Sequence, residues 1–109
     1  MKIYGIKTCD TCRKARKSLP DAQFIDVLDD GIAVDLLESA LAKFGEQLLN
    51  TRSTTWRNLP EGERGRPVMD LLLDHPTLMK RPLIAVGGTY YLGWSPEVQA
   101  ALVGGVATA

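Results

Sequence analysis

A short alternating run, Lys2 to Ile6, passes through Cys9 and Cys12 into a helical pattern that Pro20 ends, and this juncture restricts the folds open to the chain. Ile3 and Gly5 fall on the side opposite Tyr4 and Ile6, which is strand periodicity. From Thr11 to Leu19 the small or apolar residues Cys12, Ala15 and Leu19 recur at helical spacing, while Arg13, Lys14, Arg16 and Lys17 take the other faces. Gln23 to Val27, with Phe24, Ile25 and Val27, then reads as a second strand. Strands joined by a crossover helix lie parallel in one sheet, so the opening is a β-α-β unit with the cysteines at the entry to its helix.

The stretch from about Asp30 to Met79 carries helical patterns and no strand pattern, so it reads as a helical insertion. Ile32, Leu36, Leu37, Ala40, Leu41 and Phe44 form one apolar stripe, which Gly45 closes as a left-handed cap. Ser53 caps a short helix through Trp56 to Leu59, Pro60 to Arg66 reads as a polar loop, and Pro67 opens a helix through Leu71, Leu72 and Leu73 that Pro76 ends. Leu83 to Val86 and Thr89 to Leu92 flank Gly87-Gly88, the signature of a hairpin with a primed turn. Ser95-Pro96-Glu97 starts a last helix reaching about Val103, and Gly104 to Ala109 reads as a frayed tail.

At 109 residues the chain fits a single domain. Its 13 Lys+Arg balance 13 Asp+Glu, so no overall field draws it to nucleic acid or to an acidic membrane. Met1-Lys2-Ile3-Tyr4-Gly5 holds no apolar stretch of signal-peptide length, and nothing is long enough to span a bilayer, so a cytoplasmic location is expected. In that reducing compartment a Cys-x-x-Cys pair is not a permanent staple, which leaves redox chemistry or metal binding. A structural zinc site needs four ligands, and His75 is the only histidine, so no metal is expected. His75, just before Pro76, reads as an exposed helix C-cap. The basic face of Arg13, Lys14, Arg16 and Lys17 lacks interleaved aromatics and reads as solvated surface. Trp56 and Trp94 fit either core or rim.

Sulfur attacks as thiolate, and an ordinary thiol of pKa about 8.5 is only about 3% ionised at neutral pH. Cys9 sits where unpaired backbone N–H groups and the positive end of the helix dipole favour an anion. Lys7, Arg13 and Lys14 add positive charge, opposed by Asp10. Cys12, one turn on, lies within disulfide reach. Cys9 is therefore the expected nucleophile and Cys12 the resolving thiol.

Three motifs, Tyr4-Gly5-Ile6-Lys7-Thr8-Cys9-Asp10-Thr11-Cys12-Arg13-Lys14-Ala15, Leu48-Leu49-Asn50-Thr51-Arg52 with Thr55-Trp56-Arg57, and Lys80-Arg81-Pro82-Leu83, stand in the order found in the ArsC/Spx family. The chain resembles that family over nearly its whole length, and most of all its YffB-like branch. The resemblance implies a thioredoxin-like α/β fold, with a four-stranded mixed sheet and a helical insertion at about 30–80 between the second and third strands. It also implies that Pro82 is a cis-proline beside the cysteine loop; sequence alone says only that Arg81 is biased toward extended backbone. Arg52 and Arg81 match two of the three arginines that hold the oxyanion in the family's arsenate reductases, and Trp94 stands where the third would be. An indole in place of a planar cation suits a peptide-like thiol better than a compact trianion.

The implied activity is a glutathione-dependent thiol–disulfide reductase, with glutathione as co-substrate, a small thiol or disulfide as the other partner, and no tightly bound cofactor. Expected contacts to substrate or glutathione are Lys7, Thr8, Thr11, Arg52, Arg81, Pro82 and Trp94. The alternatives the family offers are a Spx-like redox regulator that binds RNA polymerase, and an arsenate reductase.

Overall fold

The strand Lys2–Gly5 (β1) has a partner on each side in the computed structural model, which describes residues 1–104. It pairs parallel with Gln23–Asp26 (β2) and antiparallel with Leu83–Val86 (β3), and β3 pairs antiparallel with Thr89–Leu92 (β4). The sheet order is β2-β1-β3-β4, a mixed sheet whose parallel pair is bridged by the helix Asp10–Ser18 (α1). Proline at 20 stops that helix, and the chain turns straight back into β2.

The chain divides into two compact units, Met1–Asp26 with the segment from Arg81 onward, and Val27–Lys80. In the first, register aligns Phe24, Ile3, Ile84 and Tyr91 across the four strands. Ala15, Leu19 and Leu102 pack on that row, with Phe24, Val86, Tyr91, Trp94 and Val98 around it. Ile3 and Ile84 are wholly buried, and removing a side chain of that size from water stabilises the fold by about 1.5–3 kcal/mol. Gly87 and Gly88 both take positive φ, 54° and 86°, as the turn of the hairpin requires. Ser95 Oγ accepts the Val98 N–H at 3.3 Å and starts the helix Pro96–Gln99 (α6 in chain order). Beyond Gln99 the path widens into a π turn over Ala100–Gly104, so the single helix expected to about Val103 changes pitch partway. The expected tail lies, beyond Gly104, outside the described residues.

The second unit is helical. Val34–Phe44 (α2) buries Leu37 and Ala40 and ends at Gly45, whose φ is 58°. The chain then continues in a tight 3₁₀ turn, Gly45–Leu48, that buries Leu48. Ser53 Oγ accepts the Trp56 N–H at 3.1 Å at the head of Thr54–Asn58 (α3). Pro60 to Arg66 is not the plain loop expected from its polarity. Glu61–Arg64 (α4) makes one helical turn there, with Glu61 and Glu63 near its positive end. Val68–Asp74 (α5) buries Leu71 and Leu72, with Pro67 as its cap and not inside its first turn. His75 is half-buried at the junction of α5 with the 3₁₀ turn Pro76–Leu78, and its N–H donates to the Leu71 carbonyl at 2.8 Å. Leu49 and Met79 form an antiparallel bridge flanked by Asn50 N–H to Leu78 O (2.7 Å) and Lys80 N–H to Leu48 O (2.8 Å). This is a pairing that apolar periodicity did not disclose. Among the described residues no helix is long and apolar enough to cross a membrane.

Candidate active site

Where β1 ends, Ile6 is buried and its carbonyl accepts the Cys9 N–H at 3.0 Å, turning the chain into α1. Cys9 is the N-cap of that helix, with extended backbone at φ −79° and ψ 120°, and its carbonyl accepts the Arg13 N–H at 3.0 Å. The Lys7 peptide is held at both ends. Its N–H donates to Asp26 Oδ2 at 3.0 Å, and its carbonyl accepts from Arg13 Nε at 3.1 Å. Arg13 Nη1 also lies 3.6 Å from Asp10 Oδ1, an exposed pair that contributes little by itself.

Both cysteines are free thiols, Cys9 half-buried and Cys12 fully buried one turn into α1. Cys12 fits there because residue 5 has no side chain: a β-carbon on Gly5 would collide with Cys12 Sγ. The two thiols are pushed in opposite directions. Burial alone would raise Cys9, but the Cys12 backbone N–H, the Cys12 side chain and the Arg81 guanidinium outweigh it and hold Cys9 below 9.0. Burial pushes Cys12 up to about 11; the Ile6 backbone opposes it, the hydrogen bond and charge of Cys9 add to it, and the Arg81 charge opposes it least. One sulfur is thus poised to ionise while its neighbour keeps its proton and donates to it.

Arg81 is half-buried and precedes Pro82 through a cis peptide bond, with Pro82 wholly buried. Lys7, Thr8 and Thr11 are exposed on the cysteine loop and the first turn of α1. Trp94 is half-buried against the core row of the first unit; its carbonyl accepts from Gln99 Nε2 at 3.0 Å. Arg52 belongs to the second unit. Its N–H donates to Asn50 Oδ1 at 3.1 Å, and it lines a cleft of about 870 Å³ with Trp56, Lys80 and Arg64. Arg64 lies 5.6 Å over the Trp56 ring. The structure therefore places Lys7, Thr8, Cys9, Thr11 and Cys12 along the cysteine loop and the first turn of α1, and sets Arg81 to act on Cys9. Asp26 and Gly5 are site residues that sequence reasoning missed. Among the described residues no cluster of three or more metal-ligating side chains occurs.

A low-pKa thiol at a helix mouth, on a mixed four-stranded sheet entered by a β-α-β unit and closed by a hairpin and a helix, defines a thioredoxin-like thiol protein. The model of the ArsC family matches residues 4–102. The chain belongs to the ArsC family, in its YffB-like part, and is a thiol-based oxidoreductase. An uncharacterized protein of Haemophilus influenzae is 40% identical over 109 residues, covering 91% of this chain and 96% of that one. The solved structure of a YffB protein is 34% identical with a TM-score of 0.85, over 94% of this chain and 97% of that one. The solution structure of an arsenate reductase-related protein from Brucella melitensis is 36% identical with a TM-score of 0.69, over 93% and 92%.

Proposed function

We propose that the protein is a glutathione-dependent thiol–disulfide reductase with Cys9 as nucleophile. The observation that carries this reading is the divergent pair of thiols, Cys9 below 9.0 and Cys12 raised to about 11, one turn apart at the head of α1. The Cys9 thiolate attacks the glutathione sulfur of a mixed disulfide RS–SG, forming Cys9–S–SG and releasing RS⁻, which takes a proton from solvent. A second glutathione, as thiolate, attacks Cys9–S–SG, releasing oxidised glutathione and restoring the Cys9 thiolate. The sum is RS–SG plus GSH giving RSH plus GSSG. Of the two routes for the second step, through Cys12 or through glutathione, the burial and high pKa of Cys12 favour glutathione. Cys12 then serves the Cys9 thiolate chiefly as a hydrogen-bond donor.

Lys7, Thr8, Thr11, Arg81 and Pro82 are the proposed contacts around the reacting sulfur. Arg81 offers a planar fork to a carboxylate as well as a charge to the thiolate. Arg52, on the cleft of its own unit, and Trp94 complete the proposed set. That Arg52 and Arg81 each match an arginine of the family's arsenate reductases makes arsenate the alternative substrate, against which stands Trp94 in place of a third guanidinium. The test is glutathione-coupled reduction of a glutathionylated peptide beside arsenate-dependent thiol consumption. Turnover of the peptide should vanish in Cys9→Ser and persist at an altered rate in Cys12→Ser. A Cys9→Ser protein as fast as the parent overturns the reading, and a faster arsenate reaction replaces it with the alternative.

A further inference from the structure

The basic face of α1 is exposed, as its sequence leads one to expect, and three of its four residues line an open groove of about 650 Å³ that also includes Lys7 of the cysteine loop. Arg13, Arg16 and Lys17 line it together with Pro20 and Phe24. Half of its eight lining residues are basic and none is acidic, in a chain whose 13 basic and 13 acidic residues cancel as a whole. Two of the cations are already held in place. The Arg16 guanidinium lies 4.2 Å over the Phe24 ring, and Arg13 Nε donates to the Lys7 carbonyl. A ligand that meets them immobilises less side chain on binding.

The mixed lining selects its occupant. A compact anion would leave Pro20 and the neighbouring Leu19 and Ala22 unused, whereas an extended peptide with carboxylates and one apolar side chain would use both kinds of surface. Nucleic acid is a poorer match, because the only aromatic ring in the groove already has a guanidinium over it and offers less to a base. Lys7 is two residues from Cys9 in the chain, so one end of the groove reaches the cysteine loop. We propose that the substrates are proteins whose oxidised cysteine lies in an acidic segment with an apolar residue, and that this segment docks along the groove lined by Arg13, Arg16, Lys17 and Phe24. The proposal rests on the reductase reading and extends it to the substrate class.

The experiment compares two glutathionylated peptides that differ only in flanks, Asp/Glu with a leucine against Lys/Arg with the same leucine. A small mixed disulfide of glutathione and 2-mercaptoethanol serves as the control. The parent should favour the acidic peptide by about tenfold or more in kcat/KM at low salt, and the ratio should shrink as salt screens the groove. The double variant R16E/K17E should lose or invert that preference while its rate on the small disulfide stays within about twofold of the parent. Equal rates on the two peptides in the parent, or a preference that survives R16E/K17E, overturn the proposal; R16Q/K17Q replaces the double variant if it does not fold. If the parent fails on the small disulfide, the reductase reading falls by itself. Docking is then decided by fluorescence anisotropy of the acidic peptide with serine in place of cysteine. Weaker binding to R16E/K17E supports the groove, and binding equal to the parent's, or tighter parental binding to a single-stranded oligonucleotide, refutes it.

Discussion

Gly5 and Cys12 occupy one space: a β-carbon on residue 5 would fall on Cys12 Sγ and also stand 3.3 Å from Cys12 Cβ and 3.4 Å from Phe24 Cε1. The glycine is there for room and not for backbone freedom, since its φ is not positive. Gly5→Ala must displace the buried sulfur, and overpacking of this kind destabilises by about 1–3 kcal/mol. It also moves the donor that the Cys9 thiolate uses. The expected outcome is a lower urea midpoint together with a higher pH midpoint for Cys9 alkylation. Unchanged values of both would mean that the sulfur yields freely.

Cys9 reactivity should follow its own ionisation. Iodoacetamide alkylation across a pH series should give a midpoint below 9.0 in the parent, because the Cys12 groups and Arg81 outweigh the effect of burial. Arg81→Met removes a charge and a donor and should shift the midpoint upward. Cys12→Ala removes the side-chain donor and should also shift it upward, with the backbone N–H of residue 12 still in place. A parental midpoint like that of an unfolded peptide would remove the electrostatic basis of the reductase reading.

Cys12 ties stability to alkaline pH. Its folded value lies above the unfolded one, so the folded state holds the proton more tightly, and the stabilisation is full below 9.0 and is lost as pH rises from there through about 11. Cys9 has the opposite sign: its depressed value contributes stability above the ordinary thiol range, lost as pH falls through the folded value. Urea unfolding on the alkaline side should therefore show a steeper decline in the parent than in Cys12→Ala. Identical slopes would show that Cys12 ionises as readily folded as unfolded.

The sheet was legible where punctuation is strong. Pro20 ends α1, Gly87-Gly88 makes the hairpin, and Ser95-Pro96 starts α6, each by a local constraint that needs no tertiary knowledge. Glu61–Arg64 escaped because a single helical turn is too short to show a period, and the Leu49–Met79 bridge escaped because pairing across 30 residues leaves no local trace. Cys9 and Cys12 were visible by spacing. Gly5 and Asp26 were not, since their roles depend on register: the two are paired across β1 and β2, which sets one beneath Cys12 and the other under the Lys7 amide.

Asp26 is the side chain that anchors the cysteine loop. It is only 6% exposed, ends β2, and accepts the Lys7 N–H at 3.0 Å two residues before the nucleophile. Removing the acceptor leaves the Lys7 N–H without this partner, which costs about 1–3 kcal/mol, so Asp26→Ala should destabilise by about that amount, and Asp26→Asn, which keeps an oxygen acceptor, by less. Lost stability alone would not distinguish loop anchoring from general packing. Amide exchange at Lys7 does: protection should fall in Asp26→Ala ahead of global unfolding and be largely kept in Asp26→Asn, with Cys9 alkylation becoming slower only in the alanine variant. If Lys7 exchanges at the parental rate in Asp26→Ala, the carboxylate does not fix the loop.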